Sequence, residues 1–393
     1  MLNALLNHYP VVAYLDTDVG QPEFTTSGVV SLHCITQPVF GPSFTHLSLP
    51  YRAVYLGTDT IKDDPDAYLD AVHDLFHVYK NELALLTQLP ECVPGLKQPF
   101  DHIARIPLVV NTHGWVKGLG HNALTHIFEF IRPNSIVSLA HSSDAHLNLQ
   151  LSFPCNVIES ISQAPDVQTA RRTGTSVSVT RLLKHSSHDK RQLSLLSWLF
   201  AEPFHVSGWS CERVERWSFQ QHITAMRPWT VPLLSKDGQG GLTLFLQHGH
   251  VEPSLVWRAL NATLVGLYRP THPIELDQPT IHTQPVTTTQ QLSYVGVALV
   301  RSVDPLRQHV HLLTGPLSAH NVQHDVCALV RSLSASSIAS IPSFLFTDMD
   351  LRVYHQWNTG DTSALPYQFT ANNTSLGLWK ARQQLVRRRL HKP

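Results

Sequence analysis

Two carboxylates at positions i and i+2, Asp16 and Asp18 in YLDTDVGQPEFT, are the first residues in the chain whose types and spacing suit chemistry. On an extended backbone such residues point the same way, so both can face one metal ion or one attacking hydroxyl. In phosphoryl transfer one carboxylate holds magnesium or its water, and another accepts the proton of the incoming hydroxyl. The plainer alternative is a solvated turn after a strand. Gly20 permits a tight turn directly after the acids, and Gln21 offers an amide to a phosphate or a base. NTHGWVKGLG adds a second set. Thr112 and Gly114 let hydroxyl and backbone donors approach a phosphate, and Lys117 brings a charge nearby. Trp115 is either a core ring or a face on which a nucleobase stacks.

These residues need a scaffold that brings them together. VVAYLD (11–16), RAVYLG (52–57), PLVVNT (107–112) and SIVSLA (135–140) each read as a strand buried on both faces. Between them lie helical patterns. DPDAYLDAVHDLFHVYKNELALL has Asp63 or Asp64 as its cap and Pro65 in its first turn, and residues 117–131 form a second helix closed by Arg132-Pro133. Alternating strands and helices imply an α/β fold with a parallel, doubly covered sheet. Ligands of such sheets bind beyond the carboxyl ends of the strands, so DTDVGQ and NTHGW should open on one crevice. The loops GTDTIKDD and AHSSDAH carry no comparable pattern and are assigned no role.

Residues 160–188 turn polar and basic before a helix, DKRQLSLLSWLFA, and read either as a lid over a phosphate site or as a surface insertion. Beyond residue 227 the texture becomes β-rich. RPWTVPLL, GLTLFLQ, NATLVGLYR, SYVGVALVRS and HVHLLTG are short strands, EPSLVWRALN is a helix, and Thr280 to Gln290 is an internal loop. The expected organisation is therefore residues 1–226 as one domain and 227–393 as a β-rich second one.

Composition bounds the function. With 42% hydrophobic residues the 393-residue chain can bury a substantial core. No stretch approaches the roughly 20 apolar residues of a membrane span, and MLNALLNHYP lacks a basic leader, so no membrane partner and no secretion are expected. Basic and acidic residues balance at 29 each, which leaves only local charge as a guide. Residues 380–393 hold Lys380, Arg382, Arg387, Arg388, Arg389 and Lys392 without an acid; they suit RNA phosphates, an acidic partner, a nuclear address, or a solvated end. The 25 histidines are scattered, and five cysteines without a CxxC pair argue for a reducing compartment and against structural zinc.

YLDTDVGQPEFT, NTHGWVKGLG and the RQLSLLSW helix stand in the order found in polynucleotide 5′-hydroxyl kinases, and the chain resembles that family. DxDxGQ is shared with the messenger-RNA cleavage-factor branch. PEFT, HGHVEPSLVWRALNATLVGL and YVGVALVRSVDP resemble the nucleolar branch of ribosomal RNA processing. The resemblance implies a P-loop NTPase-like sheet followed by a β-rich terminal domain. It implies that Asp16 and Asp18 organise Mg2+ and activate an RNA 5′-hydroxyl, and that Thr112, Gly114 and Trp115 form a T-x-G-W clasp on the RNA end. Gln21 and Lys117, by their amide and charge, are candidate RNA-binding residues beside that clasp, and Arg191 matches a lid arginine. It implies ATP or GTP as nucleotide, pre-rRNA 5′-hydroxyl ends as substrate, a pre-rRNA endonuclease of HEPN type as partner, and a nucleolar or nuclear location.

One departure stands out. The family pattern requires GxxxxGK[ST] before the first helix, and no Gly-Lys followed by Ser or Thr occurs in this chain. That loop cradles the β- and γ-phosphates and its Ser or Thr holds magnesium, so the chain by itself is expected to be inactive. MLNALLNHYP resembles the second half of the helix after the loop, and an in-frame GKS or GKT box is expected upstream of Met1.

Overall fold

The structure is a computed structural model that describes residues 1–84, 105–140, 151–161, 187–202, 214, 217, 223, 226–233, 242–271, 281–282, 292–315, 317, 322 and 325–333. Most of the basic 160–188 stretch, the basic tail, Cys92 and Cys211 lie outside these residues. Among the described residues no helix is long and apolar enough to cross a membrane.

The amino-terminal half follows the sequence closely at its centre. A short helix α1 (Leu2–Leu5) leads to β1 (Val12–Asp16), buried along its whole length. β1 pairs in parallel with β4 (Leu108–Asn111), with Asp16 opposite Asn111. Helix α2 (Pro65–Val78) starts where the sequence indicates: Asp64 caps it by accepting from the Ala67 N–H at 2.9 Å, and Pro65 occupies the first turn, where no N–H is needed. A π turn, Tyr79–Leu83, extends it. Helix α3 (Leu119–Ile131) ends on Arg132 in the left-handed region, φ 52. Apolar stripes of α2 and α3 meet β1 in a core that includes Leu15, Leu32, Tyr68, Leu75, Leu124 and Ile127.

The first sheet differs from an all-parallel one. Its order is β3-β2-β1-β4, where β2 (Val29–Ile35) and β3 (Arg52–Tyr55) run antiparallel to their neighbours. The cause is the connection: only a crossover, usually helical, returns a chain parallel, and the link from β1 to β2 contains none. β2 was not foreseen. SIVSLA does form β5 (Ser135–Ala140), parallel to β6 (Asn156–Ile161), but as a separate two-stranded sheet, and Leu139 is 81% exposed rather than buried on both faces. Ile136 packs into the first core from one face of β5, while Leu139 on the opposite face is left uncovered.

The carboxyl-terminal half is β-rich as expected. Seven strands line up as β10-β8-β13-β9-β11-β12-β7. They are β7 (Trp229–Pro232), β8 (Thr243–Gln247), β9 (Leu264–Pro270), β10 (Ile281–His282), β11 (Leu292–Asp304), β12 (His309–Leu313) and β13 (Ala328–Ser332). Ile281 and His282 thus belong to a strand on β8 rather than to a loop. The short α5 (Val256–Leu260) packs Leu260 on the sheet core with Val265, Val300 and Leu329.

The halves share a core. Helix α4 (Ser187–Leu199) places Leu196 and Trp198 against Val29 and Tyr55 of the first sheet and Tyr268 and Val297 of the second. The Tyr55 N–H donates to the Tyr268 hydroxyl at 2.8 Å, and Trp198 Nε1 donates to the Val297 carbonyl at 2.8 Å. The Trp198 ring lies so close to Gly296, at φ +142, that any Cβ there would overlap it.

Candidate active site

The parallel pairing of β1 and β4 sets the two chemical motifs side by side at the carboxyl ends of their strands. Three hydrogen bonds lock them. Thr17 donates twice to the Asn111 carbonyl, from N at 2.9 Å and from Oγ1 at 2.7 Å, and Asn111 Nδ2 donates to Asp16 Oδ1 at 2.9 Å. Tyr68 of α2 closes the back by donating to the Thr17 carbonyl at 3.0 Å.

The two acids occupy different environments. Asp16 is fully buried and accepts from Asn111, from Asp18 N at 3.2 Å and, on Oδ2, from Glu23 N at 2.7 Å. Burial pushes its carboxyl up to about 7, against the pull of those donors. Asp18 is half-buried; its Oδ1 accepts from Gly20 N at 3.0 Å and Gln21 N at 3.1 Å, forming the turn that Gly20 allows. Among the described residues Asp18 Oδ2 accepts no hydrogen bond, which makes it the carboxylate oxygen available to a ligand. Gln21 is exposed beside it. Glu23 turns its side chain away, 2.8 Å from His46 Nε2.

On the NTHGW side, Thr112 is half-buried, Gly114 faces open space, and Lys117 is exposed. Trp115 is half-buried, and its ring lies so near Gly120 that a Cβ there would sit 2.6 Å from Cδ2. His113, between the motif positions, had drawn no attention in the sequence. It is buried, its Nδ1 accepts from the Trp115 N–H at 3.3 Å, and among the described residues its buried Nε2 has no hydrogen-bond partner. Burial lowers its pKa while Asp18 pulls the other way, so the ring is kept neutral and able to accept. His113 therefore fixes the backbone from which Trp115 projects.

Loop 57–64, which the sequence left without a role, ties the site to its surroundings. Asp59 Oδ2 pairs with Arg191 Nε at 3.2 Å, and the Asp59 carbonyl lies 3.2 Å from where a Gly20 Cβ would be. Arg191 is thereby held at the edge of the DTDVG loop, across a sequence separation that no local pattern reveals. Lys62 Nζ sits 5.0 Å from the centroid of the Trp115 ring. His248 Nε2 lies 3.7 Å from Asp64 Oδ2 and joins the second sheet to this loop.

Among the described residues no three His, Cys, Asp or Glu side chains are arranged to hold a metal. Magnesium keeps several waters and needs only one or two carboxylates beside phosphate oxygens, so the outward Asp18 oxygen fits it and the Asp16 carboxylate, bonded on both oxygens, fits a supporting role. For a nucleotide the residues do not fit. The chain contains no Gly-Lys-Ser/Thr turn, the loop whose backbone N–H groups and lysine cradle β- and γ-phosphates.

Comparison with known proteins gives the relationship. Residues 1–181 match the family described as mRNA cleavage and polyadenylation factor CLP1 P-loop. A polynucleotide 5′-hydroxyl-kinase GRC3 of Cryptococcus neoformans is 30% identical over 322 residues, 77% of this chain and 42% of that protein. NOL9 of Arabidopsis thaliana, with the same kinase name, is 28% identical over 80% of this chain and 75% of its own. The grc3 kinase of Schizosaccharomyces pombe is 25% identical over 93% of this chain and 48% of its own. A solved structure of Clp1p with Pcf11p aligns over 84% of this chain and 69% of its own, at 15% identity and a TM-score of 0.48. This chain thus spans less than half the length of the Cryptococcus relative. Over most of its length the chain is similar to proteins named polynucleotide 5′-hydroxyl kinase GRC3 or NOL9, and its residues 1–181 match the CLP1 P-loop family model.

Proposed function

We propose that this chain forms the acceptor side of a polynucleotide 5′-hydroxyl kinase acting in pre-rRNA processing. The observation that carries this reading is the Asp16–Asn111 lock, which places the Asp18 carboxylate and the Trp115 ring at the ends of paired strands. In this reading Trp115 stacks the first base of a single-stranded RNA, and the Thr112 hydroxyl and the backbone at Gly114 grip its end. Asp18 Oδ2 accepts a hydrogen bond from the 5′-hydroxyl and is placed to receive its proton, while Asp16 holds the loop and Arg191 stands ready to offset developing negative charge. Gln21 and Lys117 border the RNA. ATP or GTP with Mg2+ would supply the phosphoryl group, and this chain lacks the loop to hold it. Residues 1–226 and 227–393 act as two units around their shared core, in the nucleolus or nucleus.

The lack of a Gly-Lys-Ser/Thr turn favours a second role for the chain by itself: a non-catalytic RNA-binding partner of a pre-rRNA endonuclease of HEPN type. One experiment tests both. The chain is given γ-labelled ATP and a 5′-hydroxyl RNA, and RNA binding is measured in parallel. The expected result is binding without transfer, with Trp115→Ala weakening binding by roughly 10- to 100-fold, as loss of one stacking platform does. Label transfer that disappears in Asp18→Ala would show that the chain is active without the missing loop. Absence of RNA binding would remove the acceptor-side reading.

A further inference from the structure

We infer that Lys62 is a nucleic-acid contact, an ammonium group that leaves the Trp115 ring when a base stacks there and engages the phosphate attached to that nucleotide. The inference rests on the acceptor-side reading and adds to it a residue from a loop with no motif of its own.

The loop is held on both sides of Lys62. Ile61 is buried in the first core, and Asp64 caps α2. Within the loop the Lys62 N–H donates to Thr60 Oγ1 at 3.3 Å, the Thr60 N–H donates to Thr58 Oγ1 at 3.3 Å, and Thr58 Oγ1 donates to the Thr60 carbonyl at 3.0 Å. The backbone is thus fixed while the Lys62 side chain is exposed. Three neighbouring acids are engaged elsewhere: Asp59 with Arg191, Asp63 with Thr58 Oγ1 at 3.2 Å, and Asp64 with Ala67 N and His248. Among the described residues no carboxylate lies within ion-pair distance of Lys62, and its ammonium rests on the Trp115 ring alone.

A cation–π contact at an exposed site is worth only about 0.5–1 kcal/mol, so a base can displace it. The ring that the ammonium vacates is what a sequence-tolerant stacking site offers, and the displaced charge then stands beside the sugar-phosphate of the stacked nucleotide. Gly120 packs against the indole without a side chain of its own, and the His113–Trp115 bond holds the backbone from which the ring projects. Ring and cation therefore make a subsite for one single-stranded nucleotide, its base on Trp115 and its phosphate on Lys62.

The test uses the full chain and a fluorescein-labelled single-stranded RNA with a free 5′-hydroxyl, titrated by anisotropy between 50 and 200 mM KCl. Lys62→Met is expected to weaken binding about 3- to 10-fold at the low-salt end and to flatten the slope of log K against log salt by about 0.7, the change for one phosphate contact on a single strand. Lys62→Arg restores the slope. Trp115→Ala weakens binding without removing that salt-dependent increment. Wild-type binding with an unchanged slope in Lys62→Met overturns the assignment of Lys62 alone. Tighter binding by Lys62→Met also overturns it, because the lysine would then only plug the ring. No binding by the wild type overturns both this inference and the acceptor-side reading.

Discussion

Replacing Trp198 by alanine is expected to cost about 3–5 kcal/mol of folding stability, the usual range for truncating a buried aromatic residue. The side chain is 3% exposed and belongs to the core in which both halves of the molecule meet. Its ring fills the space opened by Gly296, and its indole N–H is bonded to the Val297 carbonyl. That carbonyl also accepts from Thr314 Oγ1 at 3.0 Å, so alanine leaves it paired and the loss is one of packing rather than of an orphaned acceptor. Domains of ordinary stability hold about 5–15 kcal/mol in total, so the variant sits near the edge of folding. Urea unfolding followed by circular dichroism measures the change. A single transition that moves to lower urea, or splits into two as the sheets uncouple, is the expected outcome. A shift worth under about 1 kcal/mol would show that the α4 seam does not hold the halves together. Gly296→Val, which drives a side chain into the same ring from the opposite side, should give a comparable loss.

A second large effect concerns acid. His33 in β2 is 1% exposed, with Nε2 3.0 Å from Ser31 Oγ and Nδ1 3.3 Å from Ser48 Oγ, and burial lowers its pKa from an ordinary 6.5 to about 3. Between those values the unfolded chain binds a proton that the folded chain refuses. Stability from this group is therefore complete above about pH 7 and is lost as pH falls through 6.5 toward 3, at up to about 1.4 kcal/mol per pH unit. From pH 7 to pH 5 the loss is about 2 kcal/mol. His33→Gln keeps a hydrogen-bonding side chain without the titration, so its urea midpoint should change less over the same interval, by that amount. Parallel profiles for the two proteins would mean that His33 does not set the acid limit.

The sequence was most legible where local chemistry and tertiary demand coincide. β1 and β4 are unbroken apolar runs that end in polar motifs, and their parallel pairing follows from the helices around them. Asp64 and Pro65 mark the start of α2 because a cap and a proline act within one turn. β2 was hidden because Ser31 and His33 interrupt its apolar pattern, and the burial of His33 is made tolerable by the Ser48 hydroxyl from beyond the strand as well as by Ser31. β13 was missed for a similar reason, since ALVRS places Arg331 inside a strand. At the candidate site, the acids and the tryptophan stand out in the sequence by type and spacing. The contribution of His113 does not, because a histidine between two motif positions looks like any other of the 25 until its neighbours are known. Loop 57–64 was silent because its partners Arg191, Trp115 and His248 come from distant parts of the chain.

The two-stranded β5–β6 sheet bears on how the protein is handled at the bench. Leu139 and Ile158 are 81% and 53% exposed, and the register that sets Val137 beside Ile158 puts Leu139 on that same surface. Among the described residues these apolar side chains lie next to the unpaired outer edge of a strand, the combination that recruits a second molecule edge to edge. Leu139→Lys is expected to lower the self-association of concentrated protein without a change in the urea midpoint, because the side chain it replaces is exposed, and light scattering against concentration checks it.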